Sequence, residues 1–290
     1  MANGLFYTLA ALATLVFVVG MVSHVRLWLG ALAGDQEGGE SRAIAVLRGI
    51  PHALARRRTW QAWFWEGVLQ RQIWHESRLR WLIHIGLSWG FTELFFATSA
   101  DLLIRRGLLP LTKDTPWFAV LNELGGLLLV VGVALALYRR LVMRPPHLRT
   151  EAQDLLILVW LLMLGFGGYL AEAARFGVDG VPSTVARWSF VGYGLFRGLQ
   201  AAGIDPAGLM GLAWWSHAVA SLALIAALPY TKLLHIFTAP LVLTLETGKT
   251  TPETLSQVPA GWVPSPHVQQ IANMLSQVPH IDPLAEGGDS

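Results

Sequence analysis

Apolar residues fall into five runs long enough to cross a hydrocarbon core of about 30 Å: Phe6–Leu29, Trp81–Leu103, Phe118–Leu137, Leu155–Ala174 and Leu209–Leu228. Each is near the twenty residues such a crossing needs, and each predicts one transmembrane helix. The first run is too long for the apolar core of a signal peptide and lacks a basic segment before it, so it reads as an uncleaved helix. The polar stretches between the runs are unequal. A forty-odd residue insert follows the first, starting with Gly34-Asp35-Gln36-Glu37-Gly38-Gly39-Glu40 as a turn. It continues from Ser41 as a short helical pattern and ends in the Trp-rich segment Trp60, Trp63, Phe64 and Trp65 beside Arg56-Arg57-Arg58. Arginines next to tryptophans suit a helix in the headgroup region, either as an anchor or as a docking face for a cytoplasmic subunit. A second amphipathic helix is expected from Pro182-Ser183 through Val185, Trp188, Phe190, Val191 and Leu195, lying flat on the outer surface.

Charge orients these elements. Arg42, Arg48, Arg56, Arg57, Arg58, Arg71, Arg78 and Arg80 lie between the first two runs, and Arg139, Arg140, Arg144 and Arg149 between the third and fourth. Basic residues in short loops favour the cytoplasmic side, so both loops are expected there; Arg105, Arg106 and Lys113 after the second run are a weak counter-signal. The expected fold is an all-α integral membrane protein, a bundle of five transmembrane helices with the N-terminus outside and the C-terminus cytoplasmic. Residues 1–246 form its membrane domain, with residues 31–79 as a cytoplasmic amphipathic insert. Residues 247–290 form a Pro-, Thr- and Gln-rich cytoplasmic tail, either disordered or laid along a partner through Trp262, Ile271, Met274 and Leu275.

Composition agrees with this class and narrows the chemistry. Of the 290 residues 53% are hydrophobic and only 14% charged, against roughly 25% charged in soluble domains. The net charge of +2 follows from arginines flanking apolar runs, and nucleic acid is not an expected partner. There is no cysteine, so this chain supplies no ligand to an iron–sulfur cluster and no thiolate nucleophile. A transporter would show repeat symmetry with polar groups at midplane, and neither is present.

Three of the nine histidines stand in apolar surroundings where an unpaired imidazole is costly: His84, His217 and His235. His52, His75, His147, His267 and His280 lie in polar segments, and His24 sits beside Arg26 at the inner end of the first run, an interfacial place. His217 and His235 are eighteen residues apart, five whole turns of one straight helix, which would set them on one face about 27 Å apart, one near each membrane surface. His84 and His235 both lie near the inner side, where antiparallel helices at equal depth would clamp one six-coordinate heme. A histidine satisfied by a backbone carbonyl or a serine is the plain alternative for each. His217 has no histidine opposite it between Ile85 and Ile104, so an outer site is five-coordinate, ligated from another helix, or empty.

Arg80-Trp81-Leu82-Ile83-His84-Ile85-Gly86 resembles the proximal-heme helix of the cytochrome b type gamma subunits of respiratory nitrate reductase and their relatives in heterodisulfide reductase and dissimilatory sulfite-reduction-associated complexes. Leu228-Pro229-Tyr230-Thr231-Lys232-Leu233-Leu234-His235-Ile236-Phe237-Thr238-Ala239-Pro240 is similar to the C-terminal signature of that family. The resemblance covers about Leu5 to Leu245. It implies b hemes held by His84 and His235 at the inner site and by His217 at the outer one, and a menaquinone or ubiquinone as substrate. It also implies electron transfer to or from a cytoplasmic iron–sulfur subunit. The family's second histidine on that helix is replaced here by Leu94, which leaves the outer heme without its usual ligand. The long insert with Gln70-Arg71-Gln72 and the segment Gly165-Phe166-Gly167-Gly168-Tyr169-Leu170-Ala171-Glu172-Ala173-Ala174-Arg175 look more like the heterodisulfide reductase branch. Quinol releases protons with its electrons, so Glu172, Arg175 and Glu93 are the expected quinone-site residues; Glu172 and Arg175, at i and i+3, could equally pair with each other. Arg78, Arg80, Arg139 and Lys232 could neutralise heme propionates. The alternative function is a heme-free membrane anchor of a soluble redox enzyme.

Overall fold

A computed structural model describes residues 2–33, 39–110, 112, 115–146 and 148–247. The expected contacts of the tail after residue 247, with Trp262, Ile271, Met274 and Leu275, lie outside those residues, as do the turn at 34–38 and His147. All regular structure among the described residues is helical: α1 Ala2–Ala33, α2 Gly39–Leu54, α3 Arg57–Ala62, α4 Arg71–Glu76, α5 Arg78–Arg105, α6 Pro116–Tyr138, α7 Ala152–Asp179, α8 Phe190–Ala201, α9 Met210–Ala227 and α10 His235–Thr247, with short π or 3₁₀ turns between some of them.

Four of these segments are long and apolar enough to cross a membrane: Gly4–Leu29, Pro116–Met143, Ala152–Asp179 and Ala207–Tyr230. α5 has the length, with 28 residues, but its composition is more polar, carrying Arg78, Arg80, His84, Glu93, Asp101 and Arg105. By length and composition the count is therefore four where the sequence pattern predicted five. Ends follow local chemistry. Pro116 opens α6 at a position where a missing N–H costs nothing. Glu151 and Asp154 form a capping box at the start of α7.

In lipid the hydrophobic effect does not drive helices together, so close packing must. α5 packs on α6, α6 on α7, α7 on α9, and α9 on α1. The α5–α6 crossing is backbone to backbone: a Cβ on Gly86 would lie 2.9 Å from the Gly132 Cα, and one on Gly90 would lie 2.5 Å from the Leu129 N. Gly86 and Gly90 are four apart and form a small-residue stripe of the kind that lets helices touch. Leu129, Val133, Ala136, Ile157, Leu158, Leu161 and Leu224 then fill the interior between α6, α7 and α9.

The insert does not stay on the surface. After α3 and a π turn at Trp63–Val68, residues 68–70 form a strap against the N-terminal half of α5. Trp89 Nε1 donates to the Val68 carbonyl at 2.9 Å, and Trp81 Nε1 donates to the Leu69 carbonyl at 2.8 Å. A carbonyl outside a helix costs about 1–3 kcal/mol when it is buried and unsatisfied. The two indoles remove that cost.

α9 does not run straight to His235. It ends at Ala227, and 3₁₀ turns at Leu228–Tyr230 and Lys232–Leu234 lead into α10, which begins at His235. The expected five-turn register between His217 and His235 is thereby overturned, because Pro229 cannot donate to the ladder of α9. The freed Pro229 carbonyl is taken by His24 Nε2 at 2.8 Å, which accounts for His24 without a metal. The outer amphipathic element also starts later than Pro182: residues 183–188 are turns, and helix begins at Phe190.

Candidate functional site

At their N-terminal ends, α5 and α10 bring the imidazoles of His84 and His235 to a ring-centroid separation of 6.2 Å, with planes 57° apart. His235 Nδ1 lies 2.7 Å from the Lys232 carbonyl, and His84 Nδ1 lies 2.8 Å from Gln70 Oε1. A carbonyl only accepts, so His235 must carry its proton on Nδ1. Gln70 Nε2 donates to Ser88 Oγ at 2.9 Å, which turns Oε1 toward His84 and makes His84 Nδ1 a donor as well. Each ring therefore keeps its lone pair on Nε2.

With metal–imidazole nitrogen bonds of about 2.0 Å and a nitrogen about 1.1 Å from its ring centre, two axial imidazoles on one metal have centroids about 6.2 Å apart. The observed spacing equals that value, and Nδ1–H bonded to an acceptor is the usual second contact of a ligating histidine. The residues present fit a bis-histidine heme. A cavity of about 260 Å³ adjoins His235, lined among others by Ile83, Leu87, Arg139, Arg140 and Lys232. Among the described residues no group of three or more His, Cys, Asp or Glu is placed to hold a bare metal ion.

The basic residues around this cavity have partners of their own. Lys232 Nζ reaches Glu151 at 2.7 Å and Asp154 at 2.8 Å, and Arg140 reaches Asp154 at 3.0 Å. Burial presses the Lys232 ammonium toward deprotonation, but its hydrogen bonds to Asp154 and Glu151 outweigh this and raise its pKa above the ordinary lysine value. Arg80 pairs with Glu76 at 2.6 Å, and the Arg78 guanidinium lies over Trp74 at 5.2 Å. Of the four bases expected near heme propionates, Lys232 and Arg139 line the cavity.

His217 sits elsewhere, on α9 against Gly167 and Gly168 of α7. A Cβ at Gly167 would lie 3.3 Å from its Nδ1, so the two glycines make room for the ring. Nδ1 is buried without a close hydrogen-bond partner, and the Leu164 backbone is in hydrogen-bond contact with the ring. Such an orphaned nitrogen is the kind of atom a ligand satisfies.

The expected quinone-site residues meet different neighbours. Glu93 lies over Gly125 on α6, with Oε2 3.3 Å from where a Cβ would stand. Glu172 lies instead against Gly192 of α8, in hydrogen-bond contact with Ser189 and Glu123. Arg175 acts electrostatically on Glu172, and its guanidinium stacks 4.9 Å from the Phe176 ring. Glu123 is fully buried on α6 and accepts from the Val191 and Gly192 amides, at 2.9 and 3.1 Å, at the N-terminus of α8. Sequence reasoning passed over Glu123 and Gln70. The available signal for Glu123 was an acid within an apolar run, which is costly unless partnered.

A sequence model described as nitrate reductase gamma subunit matches residues 72–247, more than half of the chain. The chain is 28% identical to a subunit of the dihydromethanophenazine:CoB–CoM heterodisulfide reductase of Methanosarcina thermophila, over 83% of this chain and 90% of that protein. It is 25% identical to the subunit of the same name from Methanosarcina acetivorans, over 83% and 90%. It is also 25% identical to the EtfAB:quinone oxidoreductase of Syntrophomonas wolfei, over 82% of this chain but 32% of that longer protein. No solved structure matches. Together with four apolar helices of spanning length, these relationships make it a multi-pass protein of the cytoplasmic membrane and a subunit for electron transport in a respiratory oxidoreductase complex. The chain belongs to the nitrate reductase gamma subunit family.

Proposed function

We propose that this chain is a membrane cytochrome b subunit that passes electrons between a quinol and a cytoplasmic iron–sulfur partner. The observation that carries this reading is the His84–His235 pair, 6.2 Å between ring centres and with both Nδ1 atoms hydrogen-bonded to acceptors. Heme b, when bound there, supplies a one-electron carrier that can be reduced and reoxidised without moving the protein. His84 and His235 would hold it, and His217 would help hold a second, outer heme. The chain has no cysteine, so the cluster that exchanges electrons with it belongs to the partner.

The domain plan under this reading is a membrane body over 1–246, with α5 as the fifth span and 31–79 as the cytoplasmic insert, and a partner-binding tail over 247–290. The N-terminus is outside and the C-terminus cytoplasmic. The quinol site lies toward the outer end, among Glu172, Arg175 and Glu93. Glu172 is the proton-exchanging group: a bond between two carboxyl groups needs a proton between them, so the Glu172–Glu123 pair already holds one, and Glu172 must pass it on to water before it can take another from a quinol hydroxyl. The N-terminus of α8 holds Glu123 in place, so Glu172 is the member free to turn toward a substrate hydroxyl. Arg175 offsets the charge left behind.

The test is a reduced-minus-oxidised visible spectrum with pyridine-hemochrome quantification on purified protein. Two b hemes per chain are expected, with one lost in His84→Leu and in His235→Leu. One heme per chain would remove the outer site at His217. A colourless protein would overturn the reading and leave a membrane anchor.

A further inference from the structure

Gln70 holds an unusual position. It is one of two described non-glycine residues with positive φ (φ 53°, ψ 45°), a left-handed conformation that residues with a Cβ rarely adopt. Its side chain is buried and hydrogen-bonded at both amide atoms, donating to Ser88 and accepting from His84. The strap that presents it is tied to α5 on either side of His84, through Trp81 to Leu69 and Trp89 to Val68. The strain, the indole ties and the buried amide converge on one atom, His84 Nδ1.

We infer that Gln70 is the positioning residue that sets the redox potential at the His84 site, through the hydrogen bond its Oε1 accepts from His84 Nδ1. The inference rests on the reading of His84 as a heme ligand. An acceptor on Nδ1–H draws the proton away from the ring and makes Nε2 a stronger donor, which favours the oxidised metal and lowers the potential. A carboxylate there would draw harder, and an alkyl group would not draw at all. The same bond fixes the rotation of the ring and with it the 57° between the imidazole planes. The insert therefore acts on the electron-transfer site as well as on the surface, and a cytoplasmic subunit that shifted residues 68–70 would shift the potential with them.

The experiment is redox potentiometry, read in the heme absorption band, on purified full-length wild type and three variants, with heme content and low-spin ferric EPR recorded for each. Gln70→Leu is expected to raise the midpoint potential of one heme, and Gln70→Glu to lower the same one. Ser88→Ala, which frees the Gln70 amide without touching His84, should shift it less than Gln70→Leu does. Charge alone could explain the carboxylate variant but not opposite shifts, and neither could a loss of packing. Normal heme content with an unmoved potential, or with shifts of one sign in both Gln70 variants, overturns the inference and leaves the heme ligands standing. Should Gln70→Leu fail to load heme, a Gln70→Glu potential at or above wild type overturns it. If neither Gln70 variant loads, a wild-type EPR signal and potential in Ser88→Ala does so. Wild type without heme b overturns the reading beneath it instead.

Discussion

At the scale of single residues, the informative positions are polar groups whose partners lie far along the chain. His84, His217 and His235 were legible because an imidazole in an apolar run demands an explanation. Gln70 was not, because its meaning comes from a left-handed turn that lays it on a helix fourteen residues later. Lys232 was legible only as a basic residue near the inner surface. The structure gives it Glu151 and Asp154, with Asp154 only 8% exposed. Lys232→Met would leave Asp154 with Arg140 and the Glu151 amide, and losing a partner of a buried acceptor costs about 1–3 kcal/mol. Because folding raises the pKa of Lys232, its contribution is complete below the unfolded value of about 10.4 and is lost as pH rises through the higher folded value. Thermal melts in detergent should therefore show a gap between wild type and Lys232→Met that is constant at neutral pH and narrows above pH about 10.4. A gap indifferent to alkaline pH would mean the ion pairs contribute nothing.

At the scale of elements, helix existence followed directly from apolar run length, while continuity and contact did not. Leu209–Leu228 and His235 looked like one straight helix because periodicity counts residues without asking whether each can donate to the ladder. Pro229 ends it, and the register argument ends with it. The closeness of α5 and α6 was equally hidden, although Gly86 and Gly90 stand four apart in plain view, since a glycine pair says nothing of which helix it faces. The backbone contact gives a sharp expectation. In Gly90→Val the new side chain would have to displace the Leu129 amide and the Gly125 carbonyl, both backbone, so the helices must part. Overpacking of this kind typically costs about 1–3 kcal/mol and should lower the melting temperature together with heme retention. Gly198→Ala on α8 meets nothing within 4 Å and is the control; it should melt at or slightly above wild type, since alanine outranks glycine in a helix by about 1 kcal/mol. Equal stability of Gly90→Val and wild type would show that the crossing is looser than drawn.

At the scale of the whole molecule the open question is whether α5 crosses the bilayer, and chain order makes it a question of parity. Composition leaves α5 short of the other four, because His84, Glu93 and Asp101 dilute its apolar character. Packing argues the other way. Gly86 and Gly90 touch α6 between Gly125 and Gly132, the middle of the span Pro116–Met143, so α5 lies alongside a crossing helix at bilayer depth. A helix with ionisable side chains at that depth is expected to turn them toward the bundle, where they have work to do, and its hydropathy falls for that reason. The sequence held both facts but could not weigh them, since the decisive one is a contact between helices. If α5 crosses, the insert and the loop before α7 share a side; if it does not, they are on opposite sides, whatever the absolute orientation. The absence of cysteine makes the test clean. Single cysteines at Arg58, Arg149 and Gln200, probed with a membrane-impermeant maleimide in right-side-out and inverted vesicles, should place 58 and 149 together in inverted vesicles and 200 in right-side-out ones. Opposite labelling of 58 and 149 would reduce the bundle to four spans and would move the His84 site out of the membrane interior.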